Sequence, residues 1–270
     1  MSRESAVRVE RVQINFEGTV ILRDVELNVT QGEIFGLIGP NGVGKSTLIN
    51  VISGIVSPNS GRVFLNGEDV SHLQPKERAR QVAIVPQNPS SAPGFKALDM
   101  VLMGRNPHLG LLEWEGHYDL NICQKAMELT NTWQFRDRYV RSLSGGERQL
   151  VFIARALVQE ASVLLLDEPT AHLDIGFQSE VLELIRQLRS SSGLTVMMAM
   201  HDMTLAGQYC DHIALMNKGT VHSIGEPEKV LTSDNIYRVF GADVTIIKHP
   251  IHGTPVIVSV GSNVRKVADE

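Results

Sequence analysis

Residues Glu33 to Gly39, E-I-F-G-L-I-G, form a nearly continuous apolar run that breaks into a glycine-rich turn and then a helical pattern, Lys45 to Ser53, with Gly54 placed to cap it. A run this apolar predicts a strand buried on both faces, and therefore a sheet covered on both sides. The turn itself, Gly39-Pro-Asn-Gly-Val-Gly-Lys-Ser-Thr47, fits G-x-x-x-x-G-K-[ST] in the setting that this pattern requires, between a strand and a helix. Glycines allow successive backbone N–H groups to converge on phosphate oxygens, and the helix N-terminus adds its dipole. Gly39, Asn41, Gly42, Gly44 and Thr47 are therefore candidate phosphate-cradling residues. Lys45 offers a point charge for the β- and γ-phosphates, and Ser46 an oxygen ligand for Mg²⁺.

Two further apolar runs, Val163-Leu164-Leu165-Leu166 and Thr195 to Met200, predict more buried strands. Helical segments precede each: Val151 to Val158 with Ile153, Ala154, Leu157 and Val158 on one face, and Gln178 to Arg189 with Val181, Leu184, Ile185 and Leu188. Alternation of buried strands with amphipathic helices predicts an α/β fold around a mostly parallel sheet. At the N-terminus the alternating Val7 to Phe16, a turn at Gly18 and Val20 to Val29 predict an antiparallel edge sheet. Asn88 to Phe95 reads as a loop, and Leu98 to about Thr132 as a helical insertion interrupted by Gly104, Pro107, Gly110 and Gly116. Val244 to Ile247 and Val256 to Val260 predict a terminal hairpin. The expected organisation is a core in two parts, 1–87 and 159–240, around a helical subdomain over 88–158, with a tail over 241–270.

Composition narrows the functional classes. The 270 residues carry a formal charge of −5, from 25 basic against 30 acidic side chains, so the chain lacks the basic excess of a general nucleic-acid or polybasic membrane binder. Aromatics at 5% also argue against a base-stacking surface. Cys123 and Cys210 lie far apart without CxxC spacing and read as buried thiols in a reducing compartment. The N-terminus lacks a signal-type apolar region and no window approaches a spanning apolar stretch, so a cytosolic protein is expected.

Two more segments carry chemistry. Val163 to Pro169, V-L-L-L-D-E-P, puts Asp167 and Glu168 at the carboxyl end of a buried strand, where open α/β sheets bind ligands. Two acids after a strand are often solvated loop charges. Beside a phosphate-binding turn they suit Asp167 to the Mg²⁺ shell and Glu168 to the deprotonation of an attacking water. Leu143-Ser-Gly-Gly-Glu-Arg-Gln149 opens the Val151 helix, and Ser144 to Glu147 is a capping-box pattern. Two consecutive glycines weaken a helix start, which is reasonable where the backbone must approach another group closely, such as a second phosphate.

Taken together these segments resemble the ATP-binding subunits of ABC transporters over nearly the whole chain. G-P-N-G-V-G-K-S-T resembles their P-loop, L-S-G-G-E-R-Q their signature motif and L-L-L-D-E-P their Walker-B strand. Val85-Pro-Gln87 is similar to the Q-loop, Ala171-His-Leu-Asp174 to the D-loop, and Ala199-Met-His201-Asp202 to the switch histidine. The resemblance implies that Phe16 stacks on adenine, that Gln87 senses the γ-phosphate and joins the Mg²⁺ shell, and that His201 holds that phosphate beside Glu168. It further implies a head-to-tail dimer sandwiching two ATP, with Ser144, Gly145, Gly146 and Asp174 of one copy facing the nucleotide of the other.

The same resemblance implies a separate polytopic permease dimer docked near Gln87, an indirect substrate-binding protein, no nucleic acid, and a peripheral position on the cytoplasmic face of the membrane. V-L-M-G-R-N-P-H-L-G (Val101 to Gly110), the histidine of T-A-H-L-D, H-D-M-T-L-A (His201 to Ala206) and Glu147 are similar to the branch that imports iron-siderophores, haem and vitamin B12. Other cargo, such as molybdate, amino acids or an exported lipid, and a non-transport ABC-type ATPase stay open as alternatives. His249 and His252, in H-P-I-H-G, suit a solvated turn better than a metal site.

Overall fold

The structure, a computed structural model, describes residues 4–87, 94–110 and 113–261; most of the loop predicted over 88–95 and the tail past Gly261 lie outside the described residues. The chain opens with β1 (Ser5–Phe16) and β2 (Thr19–Thr30), an antiparallel hairpin, followed by β3 (Ile34–Ile38) and α1 (Lys45–Ile52). Next come β4 (Ser60–Leu65), β5 (Glu68–Asp69), α2 (Pro75–Gln81) and β6 (Val82–Val85). The insertion holds α3 (Ala97–Leu102), a 3₁₀ turn at Met103–Arg105, α4 (His117–Leu129) and α5 (Gly145–Leu157). Then follow β7 (Val163–Asp167), α6 (Ile175–Ser192), β8 (Thr195–Met200), α7 (Met203–Tyr209), β9 (His212–Asn217) and β10 (Thr220–Gly225). The chain closes with α8 (Pro227–Val230), α9 (Ser233–Phe240) and a hairpin of β11 (Val244–Lys248) and β12 (Pro255–Ser259).

The central sheet runs β10-β9-β3-β8-β7-β6, parallel throughout except for the antiparallel β10. A second, antiparallel sheet runs β2-β1-β4-β5. Side-chain alternation along the central strands divides the core in two. Ile34, Ile38, Leu164, Leu166, Val196 and Met198 face α5 and α6, where Val151, Ile153, Leu184 and Ile185 meet them. Phe35, Leu37, Val163, Leu165, Met197 and Ala199 face the other way, onto Leu48, Ile49 and Ile52 of α1 and the valines of the antiparallel sheet. Helix α1 is therefore held between two sheets, and each of those three side chains contributes about 1.5–3 kcal/mol by leaving water. That burial fixes the N-terminus of α1 against the carboxyl end of β3.

The insertion shares the first core: Met100 and Val101 of α3 and Cys123 and Met127 of α4 join the same cluster as Leu164. Gly104, expected as an interruption, is a packing point, because an added Cβ would run into the Arg155 carbonyl of α5. Next to it Arg105 is 2% exposed. Its guanidinium donates to Asp119 at 2.9 Å, to Glu160 at 2.6 Å and to the Val158 carbonyl at 2.7 Å, tying the start of α4 to the end of α5. Both cysteines are free and buried. Burial pushes the Cys123 thiol up to about 12 and the Cys210 thiol higher still, which keeps both as unreactive thiols.

Candidate nucleotide site

The phosphate-binding turn leaves β3 and enters α1 through two left-handed glycines, Gly42 (φ +76°) and Gly44 (φ +106°). At Gly44 a side chain would also meet Leu22 and Ile21 of β2, so the antiparallel sheet braces the turn from behind. Lys45 is only 4% exposed. Its ammonium folds back into the turn, donating to the Gly39 carbonyl at 2.8 Å and the Pro40 carbonyl at 3.2 Å. Desolvation lowers its pKa, against the pull of Glu168 and Asp167. The buried cation thus rests on two backbone carbonyls and feels the charge of two carboxylates.

Across from it, Ser46 donates its hydroxyl to Asp167 Oδ1 at 3.1 Å, joining the first turn of α1 to the last residue of β7. Burial raises the pKa of Asp167, with the charge of Glu168 adding to the effect, while the Ser46 hydrogen bond opposes it. A hydroxyl and a carboxylate side by side form a hard-oxygen pair of the kind that suits Mg²⁺. The residues present therefore fit the ion that the turn implies.

Glu168 departs from ordinary strand geometry. Its φ of +52° places a non-glycine residue in the left-handed region, and its N–H reaches over to the Ala199 carbonyl of β8 at 3.1 Å. Its carboxylate meets two side chains that follow other strands of the sheet. Gln87, two residues past β6, donates its amide N–H to Glu168 Oε2, and His201, the first residue after β8, meets Glu168 Oε1 through Nε2. Gln87 and His201, from two distant stretches of sequence, so converge on the carboxylate of a third residue at the carboxyl end of the parallel sheet.

The signature segment is built differently. Ser144 caps α5, accepting from the Glu147 N–H at 3.2 Å, while the Glu147 carboxylate accepts from the Ser144 N–H at 2.8 Å, as the capping-box pattern predicts. Its two glycines differ. Gly145 is exposed, whereas Gly146 is buried beneath the Phe177 ring of α6, into which any added Cβ would run. A close approach within the chain therefore already requires glycine at 146. Among the described residues no hydrogen bond or ion pair links Ser144, Gly145 or Gly146 to the phosphate-binding turn of the same chain. Asp174 caps α6 by accepting from the Phe177 N–H at 3.0 Å. Phe16 ends β1 with half its surface exposed, on the hairpin whose other strand braces Gly44.

Some features were not visible in the pattern. Strand β6, which delivers Gln87, is announced only by the short run Val82-Ala-Ile-Val85. The pressure of Phe177 on Gly146 joins residues with no local signal between them. In the tail turn, His249 Nδ1 accepts from the N–H groups of Ile251 and His252, both at 3.2 Å, so that nitrogen is engaged in holding the turn.

Together, a phosphate turn at the end of β3, a hard-oxygen pair and an oriented carboxylate on a parallel sheet define a P-loop nucleotide-binding protein. The model of the ABC transporter family matches residues 22–171, and this chain belongs to that family. It is 40% identical over 261 residues to the cobalamin import ATP-binding protein of Halobacterium salinarum, covering 97% of this chain and 65% of that protein. It is 35% identical over 257 residues to the probable siderophore transport system ATP-binding protein of Bacillus subtilis, covering 95% of this chain and 94% of that one. Among solved structures, an inward-facing metal-chelate type ABC transporter superposes with a TM-score of 0.85 at 29% identity, covering 97% of this chain and all of that one. No helix among the described residues is long and apolar enough to cross a membrane.

Proposed function

We propose that this chain is the ATP-hydrolysing subunit of an importer, closing head to tail with a second copy around two ATP molecules. Closing and reopening would drive a metal chelate (an iron-siderophore or haem) or cobalamin through a separate membrane permease dimer, supplied by a substrate-binding protein. The observation that carries the hydrolytic part is the meeting of Gln87, Glu168 and His201. Relatives named for cobalamin and siderophore transport support the cargo class.

In this reading the amides of the turn from Gly39 to Gly44, with Asn41, Lys45 and Thr47, bind the triphosphate, and Phe16 stacks on the base. Ser46, Asp167 and the amide oxygen of Gln87 would hold Mg²⁺, which neutralises phosphate charge when bound. Glu168 accepts the proton of the attacking water, its carboxylate fixed in direction by Gln87 and His201. His201, exposed on its outer side, is free to contact the γ-phosphate as well. Ser144 and Gly145 are exposed, as they must be if they complete the site of a second copy; Gly146 is buried beneath Phe177, and Asp174, exposed at the start of α6, faces the second copy as well. The subunit works at the cytoplasmic face of the membrane, with the permease seated in the cleft between core and insertion near Gln87.

Glu168→Gln keeps the shape of the site and removes the base. Turnover is expected to fall by ~10²–10⁴, with ATP binding retained and an ATP-bound dimer accumulating on size exclusion. Near-normal turnover would sink the assignment of the base. The transport half is tested by purifying the tagged chain from native membranes. A polytopic permease recovered in comparable amount supports it; a soluble species with intact ATPase activity and no membrane partner moves the assignment to a non-transport ABC-type ATPase.

A further inference from the structure

The terminal hairpin is absent from the hydrolytic reading above, yet it touches the segment that carries His201. Strand β8 ends at Met200, His201 follows, and Asp202 then caps α7 by accepting from the Thr204 and Leu205 N–H groups at 2.8 and 2.9 Å. Thr204, in the first turn of α7, accepts the Ile257 N–H of β12 through its hydroxyl at 3.1 Å. One turn on, Gly207 lies under Pro255, where an added Cβ would stand 3.1 Å from both the proline ring and its carbonyl oxygen. Glycine inside a helix is unfavourable on its own account, and this close approach favours it here. At the far end of α7 the Tyr209 hydroxyl donates to Glu183 of α6 at 3.1 Å. Helix α7 is therefore anchored at its tail by α6 and at its head by the hairpin.

We propose that the C-terminal hairpin is a positioning element for hydrolysis: through Thr204 and Gly207 it holds the first turn of α7, and thereby sets the His201 ring against Glu168. Thr204 touches no reacting atom and acts only through His201. The inference rests on the hydrolytic reading above. It gives a function to the packing of β12 on this short helix, while β11 packs on α9. It also makes the tail a place where anything that grips or displaces the hairpin changes the rate of hydrolysis without touching the nucleotide.

The test is steady-state ATP hydrolysis by the full chain carrying Thr204→Val, which keeps the shape and removes the acceptor. Loss of one hydrogen bond to the positioning turn is expected to lower kcat on the order of three- to tenfold, with KM for ATP unchanged. Thr204→Ser restores the acceptor and should restore kcat. In a His201→Ala background Thr204→Val should cause no further loss, since its effect passes through the missing ring. Full kcat in Thr204→Val, a rise in KM with kcat unchanged, or the same fractional loss without His201 overturns the proposal. A wild-type chain that does not hydrolyse ATP at all overturns the reading beneath it, and this inference with it.

Discussion

The two halves of the proposed nucleotide site are built on opposite principles. Around β7 the chain accepts local strain: Lys45 is stripped of water, Asp167 is buried at the expense of its charge, and Glu168 holds a left-handed backbone. Around α5 it accepts none, since Ser144 and Glu147 satisfy each other's orphan N–H groups and Gly146 is filled by Phe177. Strain that the surrounding structure tolerates gathers where a ligand is to arrive. A segment that is locally complete and outward-facing needs another molecule to give it a task. In the proposed function the first half is a site in its own right, and the second becomes one only against a second copy.

Two substitutions separate these halves. Ser144→Arg leaves the capped helix on the surface and puts bulk and charge on its outward face. Dimerisation with ATP is expected to be lost entirely, measured by light scattering, while the monomer still binds ATP. A Ser144→Arg chain that dimerises with ATP breaks the comparison. Lys45→Ala does the reverse. It removes the buried cation and leaves the Gly39 and Pro40 carbonyls unpartnered, so nucleotide affinity should fall about 10- to 100-fold, the worth of one charge-assisted hydrogen bond. Isothermal titration with a non-hydrolysable analogue measures it, and unchanged affinity removes Lys45 from the site.

The same division decides what could be read from the sequence. The phosphate turn was legible because its geometry is local: strand, glycines, lysine and helix follow one another within Glu33 to Ser53, and the structure keeps that order. The α5 cap was legible for the same reason, three residues apart. Gln87, His201 and Phe16 had no such signal of their own and stood on a family resemblance. Their meeting, or in the case of Phe16 its placement on the hairpin that braces Gly44, depends on strand order, which a parallel sheet with crossovers sets by long-range packing. Gly146 shows the limit most clearly. The doubled glycine signalled a close approach, but the partner inside the chain, Phe177, comes from a helix that begins well beyond it. The interior strand β9 and the edge strands β10 and β6 carried too little periodicity to be read from the sequence.

The smallest expected effect bears most directly on the strained half. Asp167 has its pKa raised by burial, so the folded chain binds that proton more tightly than the unfolded one. Its contribution to stability therefore falls as pH rises from the ordinary carboxylate value of 3.8 through the raised one, and the penalty remains at neutral pH. Asparagine keeps an acceptor for Ser46 and carries no charge. Without nucleotide at pH 7, Asp167→Asn is expected to raise Tm by on the order of 1–4 °C, the range for a modest stabilisation in a chain of this size. The gain should shrink as the pH is lowered towards the point where the wild-type carboxyl is itself neutral. Saturating Mg²⁺ and ATP should reverse the ranking, because a ligand that binds only the folded state stabilises it in proportion to its affinity, and the variant has lost the carboxylate that helps hold the ion. An unchanged or lower Tm for the nucleotide-free variant would mean that Asp167 sits at ease in the empty fold, and that the contrast between the two halves lies in Glu168 and Lys45 alone.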